Sequence, residues 1–182
     1  MQSRYRIAVI LCIFFLLLFG IALAFGSSPV AVIAGEKSAG SWMSGVLLII
    51  SSTTTIFIAL KRGWYPWAVF AMFFVLLAID ENFMIHEAMK RMLVFTRYEA
   101  TNQPVYWIGE IPVIIAAVTG AGVAWVMSRY VNRDLRWLIA TGVLFGSASV
   151  IIDVFSIGVL WEDCLKLIAE LAVTCASVTE AS

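Results

Sequence analysis

From Ile7 to Phe25 the chain carries no charged or strongly polar side chain. That run comes close to the ~20 apolar residues an α-helix needs to cross a bilayer. It is the first of several: 42–60, 67–87, 105–128, 137–156 and 160–180 are each predominantly apolar and of comparable length. In hydrocarbon every backbone N–H and C=O must be satisfied within the protein, so segments of this kind are helical. The composition agrees, with 62% apolar and 13% charged residues against roughly 45–50% and 25% in soluble proteins. The expected fold is all-α: a single transmembrane domain over residues 1–182, a helical bundle of six spans, or five if the last segment lies in the interface.

The first run follows the basic Met1–Arg6 and reads as a retained span, with Ala22-Leu23-Ala24 as the rival reading of a signal-peptide cleavage site. Gly26–Ser41 is a loop rich in small residues, carrying Glu36 and Lys37. The second span holds the hydroxyl run Ser51-Ser52-Thr53-Thr54-Thr55, which can bond its own carbonyls or a neighbouring helix. Lys61–Trp67 is a basic turn with aromatics expected at the interface, and the seven tryptophans read mostly as interface anchors. Beyond the third span, Ala88–Tyr98 reads as an amphipathic continuation leaving the membrane, Ala100–Pro104 as a turn. Glu110 and Pro112 open the fourth span, and Arg129–Arg136 is a second basic turn.

Basic residues set the expected orientation. With both termini on one side, that side carries Arg4, Arg6, Lys61, Arg62, Arg129, Arg133 and Arg136, against Lys37, Lys90, Arg91 and Arg97 opposite. The positive-inside rule then puts both termini in the cytoplasm and the protein in the inner membrane. Net charge is zero, so nothing suggests a nucleic-acid partner; the lipid bilayer is the expected partner, with other membrane subunits or a homo-oligomer left open. Cys12, Cys164 and Cys175 read as small buried apolar residues rather than a disulfide framework.

In such a chain the acidic residues stand out. Asp80, Glu81, His86 and Glu87 close the third span, Asp153 ends the fifth, and Glu162 and Asp163 open the sixth. Alternating helix direction brings these, with Glu110, to one depth. Ionisable groups within spans are costly and usually functional. On a continuous helix Asp80 and Glu87 would lie within about 20° of each other, with Glu81 and His86 flanking that line. In the sixth span Glu162, Lys166 and Glu170 recur at steps of four, extended by Thr174 and Ser177. In the fifth, Gly142, Gly146, Ser149 and Asp153 form a small-residue seam. The plain alternatives are an intrahelical ion-pair ladder, acids resting among headgroups, an interfacial His86, and Met84, Met89 and Met92 as packing.

An oxygen-rich set with one imidazole suits Mn²⁺, Fe²⁺, Ca²⁺ or Zn²⁺, with Asp80, Glu81, His86, Glu87, Glu162 and Asp163 as ligands and Glu110, Asp153, Lys166 and Glu170 as the supporting network. Without metal, crowded carboxylates favour sharing protons, with Lys166 as counter-charge. The expected function is cation or proton binding near the outer side; the alternatives are an accessory subunit of a larger membrane complex and a metal-dependent hydrolase, so whether the chain is an enzyme stays open. The segments L-A-I-D-E-N-F-M-I-H-E and W-E-D-C-L-K-L-I-A-E together resemble small bacterial polytopic membrane proteins with an L-D-E…H-E helix and a later acidic-pair helix. That resemblance covers two of the six spans; it implies that Asp80, Glu81, His86, Glu87, Glu162, Asp163 and Glu170 act as one unit and names no activity.

Overall fold

The computed structural model describes the chain except for residues 1–4, 27, 29–31, 33–37, 64, 102–105, 156 and 157, and describes residues 25, 97, 99–101, 106 and 107 by backbone alone. Arg4, most of the first loop with Glu36 and Lys37, and the centre of the turn near Pro104 therefore lie outside the described residues. The α-helices are α1 (Tyr5–Phe25), α2 (Ala39–Arg62), α3 (Tyr65–Phe83), α4 (Ile85–Thr101), α5 (Ile111–Tyr130), α6 (Arg136–Val154) and α7 (Val159–Ala181), with 3-10 turns at Tyr106–Glu110 and Arg133–Leu135. No strand occurs among the described residues.

Local chemistry fixes the helix ends. The Ser38 hydroxyl accepts from Ser41 N–H at 3.0 Å and caps α2, filling one of the orphan donors of a first turn. Gly63 closes that helix in the left-handed region at φ 63°, donating to the Ala59 carbonyl at 2.8 Å, a position that suits glycine. Pro112 occupies the first turn of α5, where its missing N–H costs nothing.

Five helical segments are long and apolar enough to cross a membrane: Tyr5–Ala24, Ala39–Arg62, Tyr65–Phe83, Ile108–Tyr130 and Arg133–Val154. Helix α7 has the length, 23 residues, but not the apolar composition. Its position explains the difference. It packs against α1, α2 and α6, and Ala169, Ala172, Thr174, Cys175, Ala176, Ser177, Thr179 and Glu180 are buried. A helix surrounded by other helices need not be apolar, because its polar groups meet protein instead of hydrocarbon.

The contacts give each helix its direction. Ser44, Ser51 and Arg62 of α2 bond Glu170, Thr174 and Glu180 of α7 in turn, so these two run parallel. Helix α6 is antiparallel to α7: Ser149 donates to the Glu162 carbonyl at 3.0 Å, and Gly142 lies against Ala169 and Val173. Phe15 of α1 packs with Met43 and Leu47 of α2, and the Cys12 sulfur lies 3.5 Å from that of Cys175; all three cysteines are free thiols.

Between α2, α3, α5, α6 and α7 lies one apolar core, built on Leu48, Ile58, Trp67, Phe70, Phe74, Met127, Ile139 and Ala176. Trp67, read from sequence as an interface aromatic, is fully buried there and stacks edge-on against Phe70 at 5.6 Å and 87°. A large aromatic at the start of α3 fills the base of the core, where the α2–α3 turn brings it inward. Trp42, Trp125, Trp137 and Trp161 are exposed, as anchors would be.

Candidate functional site

The bundle has a basic and an acidic end. At the basic end Lys61 and Arg62 close α2 and Arg129 closes α5. Glu180, almost without exposure, accepts from Arg62 at 2.6 Å and from the Asn132 backbone N–H at 2.9 Å. This clamp ties α7 to α2 and to the α5–α6 turn. Sequence reasoning missed it, since Glu180 stands near the chain end with no charged neighbour to flag it.

At the acidic end the third span does not continue to Glu87. The helix breaks at Met84, the one described non-glycine residue with positive φ, at 51°. Asp80 bridges the break: its Oδ1 accepts from the His86 backbone N–H at 2.8 Å and its Oδ2 lies 2.9 Å from His86 Nδ1. A carboxylate there also complements the positive end of α4. The phase expected for a continuous helix is thereby overturned. Asp80 and Glu87 do not share a line; Asp80 holds His86, and Glu87 is carried off on a separate helix. The hydrogen bond to Asp80 holds the His86 imidazole above its ordinary pKa of 6.5, burial opposes this, and the nearby Asp80 and Glu87 charges reinforce it.

Lys90 makes a second node. Its Nζ lies 2.9 Å from Glu110, 3.3 Å from Asp153 and 3.6 Å from Glu87. Burial pushes this ammonium towards its neutral form, but the bond to Glu110 and the charges of Asp153 and Glu87 outweigh that and raise its pKa. One cation thus joins α4, the turn before α5, and α6. The sequence offered a signal, Glu87 and Lys90 three apart on one helix face, but the second and third acids come from distant segments.

Lys166 forms the third node, on α7. Its ammonium pairs with Glu81 of α3, so the steps of four in α7 are not merely a ladder within one helix. One turn further along, Glu170 accepts from Ser44 of α2 at 2.8 Å through Oε1. Its Oε2 is buried without a hydrogen-bond partner among the described residues. Below it Thr174 meets Ser51 at 2.8 Å and returns a bond to the Glu170 carbonyl at 2.7 Å. Ser177 turns back to the Val173 carbonyl at 3.0 Å.

These nodes border a cavity of about 280 Å³. Asp80, Glu81, His86, Asp153, Glu162, Lys166 and Glu170 line its acidic end; the remainder is largely apolar, from α3, α5, α6 and α7. Glu87, Glu110 and Asp163 are not among the lining residues, though Asp163 acts electrostatically on Glu162 and Lys166. The seam of α6 is what allows α7 so close. A β-carbon on Gly142 would lie 2.6 Å from Val173 Cγ2, and one on Gly146 would be 3.7 Å from Ala169 Cβ.

Of the six residues read as metal ligands, four line the cavity: Asp80, Glu81, His86 and Glu162. Asp80 is committed to His86, Glu81 to Lys166, and Glu87 to Lys90 and His86. Among the described residues no three of His, Cys, Asp or Glu are grouped so as to hold one metal ion. The arrangement suits charge compensation by ammonium, imidazolium or protons.

Fold and site together define a polytopic helical membrane protein with a cavity lined by acids at one end. The chain belongs to the family described as domain of unknown function DUF8692, whose model matches residues 6–181. No curated protein and no solved structure matches it.

Proposed function

We propose that this protein binds a cation or proton in the cavity at its acidic end, and that this end faces the outer side of the inner membrane, with both termini cytoplasmic. The observation that carries the reading is the convergence of five carboxylates, from α3, α6 and α7, on one cavity that also holds Lys166 and His86. Lys90 neutralises Asp153 from behind. Carboxylates that are crowded and partly buried, in excess of their basic partners, are relieved by taking up a proton or a cation. The partnerless Glu170 oxygen is the most obvious place for it.

The absence of a metal-sized group of ligands among the described residues favours this reading over a divalent-metal site and over a metal-dependent hydrolase. The accessory-subunit reading rests on no comparable feature; stoichiometric copurification with other membrane subunits would support it.

The test is infrared difference spectroscopy of purified protein across pH 5–9. Carboxyl bands should titrate within that range, and Glu170→Gln and Glu162→Gln should each remove part of the signal. Bands unchanged across the range, together with unchanged spectra on adding inorganic or organic cations, would contradict the proposal.

A further inference from the structure

The cavity is polar at one end only. Along α5 its lining runs from Val113 to Met127, which at 1.5 Å per residue is ~20 Å of helix. Through that length α5 contributes small side chains, among them Ala117, Gly120, Ala121 and Ala124. The cavity, about 280 Å³ in volume, therefore runs lengthwise along α5 rather than lying at one level of the bundle. It would hold about nine waters by volume, yet an apolar wall offers them few partners, and a slot of this kind is better filled by hydrocarbon. At its head stand the excess carboxylates and the Glu170 Oε2 that lacks a hydrogen-bond partner.

We infer that the cavity is a binding site for a single-chain amphiphile with a cationic, ammonium-type head: the head sits among Glu81, Glu162 and Glu170, and the alkyl chain lies along the small residues of α5. This rests on the cation-binding reading above and names the class of cation. Two features argue against an anionic or neutral head. The carboxylates lining that end outnumber Lys166 and His86, and Lys166 is already held by Glu81. A protonated amine brings up to three donors, one of them for the Glu170 Oε2 that has no hydrogen-bond partner among the described residues.

The experiment uses the full chain in lipid nanodiscs and a series of n-alkylammonium ions from methyl to decyl, with binding read by calorimetry. Affinity should rise about fourfold per added CH₂ and then level off when the slot is full. Ala121→Phe places bulk in the slot at an exposed position, so the fold should tolerate it. It should weaken octylammonium about tenfold or more and leave methylammonium unchanged, and Ala117→Leu should act in the same direction. Glu170→Gln should weaken every member of the series.

Equal binding of methyl- and octylammonium, insensitive to Ala121→Phe, would overturn the amphiphile site while leaving cation binding in place. Alkyl carboxylates binding as well as the ammonium ions would overturn the head assignment and with it the proposal. No binding by any member would overturn it too, and the infrared titration then decides separately whether the cation reading survives.

Discussion

The residue that most shapes the acidic end is Met84. A methionine at φ 51° occupies a region that costs an L-residue roughly 1–2 kcal/mol, and the Asp80–His86 bonds across the break hold it there. Met84→Gly should therefore raise thermal stability in detergent by about 0.5–1 kcal/mol, and Met84→Val should lower it by about 1–2 kcal/mol. Equal effects from both would mean that the backbone is not left-handed there. His86 gives the same lock a pH dependence. Its folded pKa is raised above 6.5 by Asp80, so the stabilisation is fully present below about pH 6.5 and is lost as pH rises through the folded value. Glu87 adds to this and Lys166 opposes it. Hydrogen exchange of the first-turn amides of α4 should speed up from pH 6 to pH 9 beyond the intrinsic chemical rate, and His86→Asn should abolish that excess. An unchanged excess in the variant would show that another group governs the break.

At the level of elements, the apolar runs announced the helices, and their bounds shifted by only a few residues for α2, α6 and α7. What the runs could not announce was the break in the third one. Periodicity reads a continuous helix through Asp80–Glu87, and nothing short of the Asp80 bonds to His86 reveals a methionine in a left-handed conformation. The seam of α6 was legible, because small residues spaced by four admit a neighbouring helix, though not which helix it admits. The two glycines should differ. Gly142→Ala forces Val173 and the Ala169 carbonyl to move and should cost about 1–3 kcal/mol, whereas Gly146→Ala meets ordinary contact and should change stability by less than about 0.5 kcal/mol. Thermal unfolding of the two variants side by side checks this; equal losses would contradict the packing.

For the molecule as a whole, α7, less apolar than the five candidate spans, is central. Its carboxylates and Lys166 would be poor company for lipid but serve as the partners of α2 and α3. Alternation of helix direction made the gathering of acids legible in the sequence. Their division into three nodes was not, because Lys90 and Lys166 choose partners from helices far apart in the chain. The central claim is that α7 delivers Lys166 to Glu81 inside a shared cavity, and a double-mutant cycle on that pair tests it most directly. Lys166→Met alone should destabilise strongly, by about 3–5 kcal/mol, since it strands a carboxylate. Adding Glu81→Gln should restore much of that loss, with a coupling of about 1–3 kcal/mol. Additive losses, with no coupling between the two positions, would contradict the account.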